Sequence, residues 1–153
     1  MVAQLDQPTP AELADVAAVF DQYRRHYGEP VVAGQALAWL AQNARSGMLT
    51  IFTAHAGGEL VGIATTVRGL ASLRLASFWQ LRDLYVVPSA RRCGAGRALV
   101  GAVRAAASEA GAIRLSVQTE PGNTAALALY RASGFLPVED LSVLALDLPP
   151  RGT

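Results

Sequence analysis

Lysine is absent from the 153 residues, so all 13 basic side chains are arginines and the chain offers no side-chain amine of its own for acylation. Cysteine occurs once, at Cys93, and histidine twice, at His26 and His55. A single thiol excludes an internal disulfide, and so few soft ligands exclude a structural zinc site; no metal is expected. No apolar run approaches the roughly 20 residues of a membrane span, so no membrane partner is expected. Residues 1–10 lack both a basic start and an apolar stretch, which predicts neither a secretory signal nor a transit peptide and makes the cytoplasm the expected location. With 12 acidic residues against 13 basic ones, the net charge of +1 implies no broad basic face, and no nucleic-acid partner is expected. What is present is apolar. Hydrophobic residues make up 52% and charged residues 16%, which excludes disorder and predicts a large core. At 16.0 kDa and a mean hydropathy of +0.28, one domain over residues 1–153 is expected.

The order of elements is legible from caps, periods and breakers. Thr9, Pro10 and Glu12 spell a capping box with proline at the first helical position, and Leu13, Val16, Ala17 and Phe20 continue at helical spacing through Tyr23 and Tyr27. A second helix is predicted over 35–46, closed by Gly47. Residues 48–56 and 60–67 read as strands joined by Gly57-Gly58, a hairpin. Residues 78–87 form another strand before Pro88. There follow an alanine-rich helix over 96–110, a strand over 113–119, a helix over 124–133 and a last strand over 141–148. The fold class is therefore α/β, a mixed, mostly antiparallel sheet flanked by helices.

The loop between the strand ending at Val87 and the helix opening near Gly96 reads Arg91-Arg92-Cys93-Gly94-Ala95-Gly96-Arg97. Free amides at the positive end of a helix dipole, glycines that admit close approach, and three arginines describe a diphosphate cradle. Leu99 stands where a dinucleotide fingerprint requires a third glycine or alanine, and a lysine-free chain cannot make a Walker loop. A tight turn with no ligand is the bland alternative for the glycine pair alone.

Residues 82–135 closely resemble the GNAT superfamily of acetyl-CoA-dependent N-acetyltransferases. The loop matches its R/Q-x-x-G-x-G/A pattern at Arg91, Gly94 and Gly96, preceded by Leu84-Tyr85-Val86-Val87-Pro88. Asn123-Thr124-Ala125-Ala126-Leu127-Ala128-Leu129-Tyr130, followed by Gly134-Phe135, resembles the second signature of the family. Residues 21–28 are similar to an uncharacterised bacterial branch of it. The resemblance implies the GNAT acyl-CoA N-acyltransferase fold and a cleft between the strands ending near Val87 and Thr119. Acetyl-CoA would be the cofactor and coenzyme A the product. Pantetheine would run along Leu84, Tyr85 and Val86, the diphosphate would sit on Arg92, Cys93, Gly94, Ala95, Gly96 and Arg97 with Arg91 beside it, Asn123 would hydrogen-bond near the pantetheine, and the Tyr130 hydroxyl would lie near the sulfur.

The implied reaction is direct attack of an amine on the thioester. A backbone N–H at Leu84 or Tyr85 is expected to stabilise the oxyanion, and Tyr130 to protonate the departing thiolate; a tyrosine merely packed on the sheet is the alternative. The base is less evident, because the second-strand position where relatives carry glutamate holds Ser116. Asp83 is the first candidate and Glu120 the second, either being equally explicable as a surface ion pair. Tyr23 and Tyr27, four apart on one helix face with His26 and Glu29 near them, are expected to bind the acceptor, although tyrosines at this spacing also serve as packing. Trp39 and Trp79 are expected in the core or pocket wall. The expected partner is a small-molecule primary amine, and a homodimer is invited by strand edges near 141–148. A silent acyl-CoA sensor and a protein amine acetyltransferase remain as alternatives.

Overall fold

The computed structural model describes residues 1–150, so the last three residues of the expected 1–153 domain lie outside the described ones. The chain runs β1 (Val2–Leu5), α1 (Pro10–His26), α2 (Gln35–Arg45), β2 (Thr50–Ala56), β3 (Glu59–Ala71), β4 (Ala76–Val86), α3 (Ala95–Glu109), β5 (Leu115–Val117) and α4 (Thr124–Ala132). The first helix starts as its spacing predicts: the Glu12 amide donates to the Thr9 hydroxyl at 3.2 Å, and the Thr9 amide donates to the Glu12 carboxylate at 2.8 Å.

One sheet carries the strands in the order β1-β2-β3-β4-β5. The first four pair antiparallel; β5 joins parallel to β4 after the crossover through α3. Alternation sorts the core onto two faces. Ile51, Ile63 and Tyr85 meet Leu13, Val16, Phe20 and Leu40 of α1 and α2. Phe52, Ala64, Trp79 and Leu81 meet Leu99, Val100 and Val103 of α3 and Tyr130 of α4. Leu40, Ile63, Leu99 and Val103 are wholly buried, each worth about 1.5–3 kcal/mol of apolar transfer.

One strand is not expected from the sequence, and three expectations need correction. Residues 2–5 form an edge strand that their short, polar-interrupted sequence does not announce. β5 is paired only over three residues, against the seven expected. Trp39 lies half-exposed, stacked on Phe20 with ring centroids 6.0 Å apart, and only Trp79 is core. Residues 141–148 form no strand: their pattern supplies two faces, but a strand also needs a partner for its main-chain groups, and within the described residues they have none.

Candidate active site

The site begins where two parallel strands part. β5 is last paired at Val117 opposite Leu81, while β4 continues for five residues to Val86 with no strand among the described residues paired on that side. The Val87 amide donates to the Val61 carbonyl at 2.9 Å, so alternation turns the main-chain groups of Tyr85 toward β3 and those of Leu84 and Val86 into the open edge. Of the two expected oxyanion donors this leaves Leu84; Tyr85 contributes its ring. A cavity of about 540 Å³ fills the gap, walled by Leu84, Tyr85, Val86 and, from α4, Ala126, Leu129 and Tyr130.

The loop after β4 closes one end. Pro88–Ala90 makes a 3-10 turn, and Arg92 (φ +63°) and Gly94 (φ +84°) adopt left-handed conformations before α3 begins. No side chain caps α3, so its first amides keep their donors free at the positive end of the helix dipole. A Cβ on Gly96 would stand 3.3 Å from the Leu129 side chain, so the cavity wall here is main chain. Arg91, Arg92, Gly94, Gly96 and Arg97 line the cavity; Cys93 and Ala95 do not. Arg91 is partly committed to the scaffold, its Nε donating to the Val86 carbonyl at 3.0 Å and its guanidinium lying 5.5 Å over the Tyr85 ring.

The other end is aromatic. Tyr23 packs edge-on to Tyr27 at 5.2 Å and against Tyr85 at 5.7 Å, with His26 6.2 Å from Tyr85. The Asn123 side-chain amide donates to the Tyr27 hydroxyl at 3.4 Å, tying the end of α1 to the start of α4, while its Oδ1 caps α4 by accepting from the Ala126 amide at 3.2 Å. Glu29 is exposed and does not line the cavity; its expected neighbours Tyr23 and Tyr27 do.

Asp83 points to the α1 face of β4, behind Tyr23. The wholly buried Thr65 donates its hydroxyl to the Asp83 carboxylate. A bulge between Thr65 and Thr66 sets this register. Burial, then the Asp83 charge and hydrogen bond, drives the Tyr23 phenol well above the ordinary tyrosine pKa. Tyr130, packed edge-on to Phe135 at 5.6 Å, is pushed up to about 12 by burial first and by Tyr27 and Asp83 after it. Both phenols therefore hold their protons at neutral pH. Glu120 is exposed and does not line the cavity, although its neighbour Thr119 does. Ser116, on the strand position in question, donates weakly to the Trp79 carbonyl at 3.5 Å.

Gln118 and Thr119, just past β5, also line the cavity and are not foreseen from the sequence. Their only signal is position at the carboxyl end of a parallel strand, where ligands gather in α/β sheets. Among the described residues no group of His, Cys, Asp and Glu is arranged to hold a metal ion, and no helix is long and apolar enough to cross a membrane.

Comparison with known proteins agrees with this fold. Residues 16–135 match the family described as the acetyltransferase (GNAT) family. The chain is 33% identical over 129 residues to the uncharacterized N-acetyltransferase YhfO of Bacillus subtilis (strain 168), covering 84% of this chain and 87% of that protein. It is also 33% identical over 143 residues to the mycothiol acetyltransferase of Cellulomonas flavigena, covering 91% of this chain but only 39% of that longer relative. A crystal structure of a probable acetyltransferase superposes with a TM-score of 0.90 at 27% identity, over 99% of each chain.

Proposed function

The chain belongs to the GNAT family of acetyltransferases, and from that premise we propose that it transfers the acetyl group of acetyl-CoA to a primary amine of a small molecule by direct attack. One observation carries this reading. The cavity at the parting of β4 and β5 joins a main-chain anion cradle at one end to a buried phenol and an aromatic pocket at the other. We take residues 1–153 as one acetyltransferase domain working in the cytoplasm.

The residues present fit the cofactor. The open edge at Leu84 and Val86 suits an amide-bearing arm that pairs like a strand, and the α3 amides with Arg92 and Arg97 suit a diphosphate. Acetyl-CoA supplies the activated acyl group. The Leu84 amide donates to the carbonyl oxygen as negative charge builds there, worth roughly 3 kcal/mol for a well-placed donor. Tyr130 donates its hydroxyl hydrogen to the departing sulfur. The amine's proton leaves toward Tyr23, whose own proton passes to Asp83. Direct attack is favoured because Cys93 sits exposed on the loop, outside the cavity. A small acceptor is favoured because the Tyr27–Asn123 bridge narrows the acceptor end, and the rings of Tyr23, Tyr27 and Tyr85 offer faces to a cationic amine before it loses its proton.

A second reading, an acyl-CoA sensor without turnover, draws on the same site. Among the described residues no carboxylate lines the cavity: Asp83 stands behind Tyr23, and Ser116 occupies the alternative strand position. Calorimetry with acetyl-CoA, followed by a panel of primary amines monitored for free-thiol release, separates the readings. Binding together with stoichiometric thiol release for any amine is expected. Binding without release for every amine favours the sensor, and no binding overturns both.

A further inference from the structure

The point where β4 and β5 part carries polar side chains that the proposed chemistry leaves unused. Leu81 and Val117 form the last pair between these strands, so Arg82 is the first residue of β4 beyond it and Gln118 the first of the chain beyond β5. Arg82, Gln118 and Thr119 line the large cavity. Arg82 has no counterion. Among the described residues the pair of Arg24 with Asp21 is the only ion pair, and Arg91 is the only arginine whose side chain makes a hydrogen bond. Asp83, its neighbour in sequence, is engaged elsewhere. Thr65 stands opposite Asp83 and Thr66 opposite Leu81, a register that leaves Arg82 without a counterpart on β3, while Thr65 holds the Asp83 carboxylate on the α1 face.

Charge on the cavity wall is therefore one-sided. Among the described residues the charged side chains there are Arg91, Arg92 and Arg97 at the cradle and Arg82 apart from them, with no Asp or Glu. Arg82 precedes Val86 by four residues, about 13 Å along a strand, so a diphosphate that neutralises the cradle leaves Arg82 uncompensated. It precedes Tyr85 by three residues, about 10 Å, and the Tyr85 ring with those of Tyr23 and Tyr27 forms the proposed pocket for the amine.

We propose that Arg82 sets the class of acceptor: the substrate is a small primary amine that also carries an acid group, a carboxylate or a phosphate, and the Arg82 guanidinium takes that group. This inference rests on the acetyl transfer proposed above and names its substrate class. A guanidinium fork matches two oxygens of a carboxylate or phosphate, and Gln118 and Thr119 add neutral donors at the same place. Discrimination against other amines comes from the same charge. A diamine brings a second cation to a wall that holds an unpaired cation and no carboxylate, whereas an anionic amine compensates Arg82 while its ammonium lies against tyrosine faces.

Two matched series test this: β-alanine, 3-aminopropanol and 1,3-diaminopropane, and the one-carbon-longer γ-aminobutyrate, 4-aminobutanol and putrescine, with phosphoethanolamine as the phosphate arm. Calorimetry on the free and the coenzyme A-loaded protein is expected to find anionic members bound about tenfold or more tighter than their cationic counterparts, with the neutral ones between. Initial rates of thiol release from acetyl-CoA are expected to give the same order in kcat/KM. Arg82→Gln should lower the anionic-to-neutral ratio by about 10- to 100-fold, and Arg82→Lys should restore part of it. A preference for the carboxylates over phosphoethanolamine, or the reverse, supports the site and identifies its acid group. No binding of any amine, equal affinities across each series, a cationic preference, or an Arg82→Gln loss uniform across all acceptors overturns the proposal, the last by placing Arg82 on the thioester. Charge-ordered binding without thiol release for any amine upholds the acid-group site and overturns the transfer reading instead.

Discussion

Tyr130 combines burial with a place on the cavity wall where the proposed reaction puts the thioester, and the two make opposite demands on its proton. Burial holds the phenol neutral, with its pKa raised to about 12, so the residue is a donor at every physiological pH but a reluctant acid. In the proposed reaction its contribution is a hydrogen bond to developing charge on sulfur, with the proton following late. Tyr130→Phe is therefore expected to lower kcat by about 10- to 100-fold while calorimetry finds acetyl-CoA affinity within about twofold of wild type. Equal losses in both would make it a packing residue. The raised pKa also has a thermodynamic consequence with a definite sign. An unfolded tyrosine ionises near 10 and this one near 12, so the stabilisation is fully present below pH 10 and is lost between 10 and 12, on the order of 3 kcal/mol. Thermal melts across that range should fall more steeply for wild type than for Tyr130→Phe; parallel slopes would contradict the assignment. Tyr130 and Asn123, which both line the cavity, were legible through the resemblance of residues 123–130 to the second signature of the family. The partnership of Asp83 with Thr65 was not, because it depends on a bulge in β3 that no residue type marks.

At the scale of elements, what was legible is what a short stretch of chain decides by itself. The capping box at Thr9 and Glu12 and the glycines after helices are local chemistry, and α1 to α4 fall within a residue or two of their expected bounds. Strands depend on neighbours. Residues 2–5 become β1 only because β2 offers an edge, and residues 141–148, despite a better pattern, pair with no strand among the described residues. The loop before α3 lies between these cases: its glycines announce left-handed backbone, and Gly94 adopts it at φ +84° with open space around the absent Cβ. A side chain there strains the backbone without a clash, by about 1–2 kcal/mol. Gly94→Val is expected to move the α3 amides and raise the KM for acetyl-CoA tenfold or more, with the acceptor KM nearly unchanged. A rise in both constants, or in neither, would show that these amides do not hold the cofactor.

Over the whole molecule, a net charge of +1 hides an uneven distribution, because Arg91, Arg92 and Arg97 stand together at one end of the cavity. Summed charge governs solubility, but local charge governs the capture of an anion. Arg91 is held by the Val86 carbonyl and the Tyr85 ring, which leaves exposed Arg92 and Arg97 to attract a diphosphate from solution. The Debye length shrinks from about 10 Å at 0.1 M salt to about 3 Å at 1 M, so an attraction between exposed groups weakens strongly over that range, whereas main-chain hydrogen bonds made inside the cavity do not. The KM for acetyl-CoA is expected to rise several-fold from 0.1 to 1 M salt while kcat at saturation stays constant, and Arg92→Ala/Arg97→Ala should raise KM at low salt and abolish most of that dependence. A wild-type KM indifferent to salt would mean that the helix amides alone capture the cofactor, and the arginines would then need another explanation.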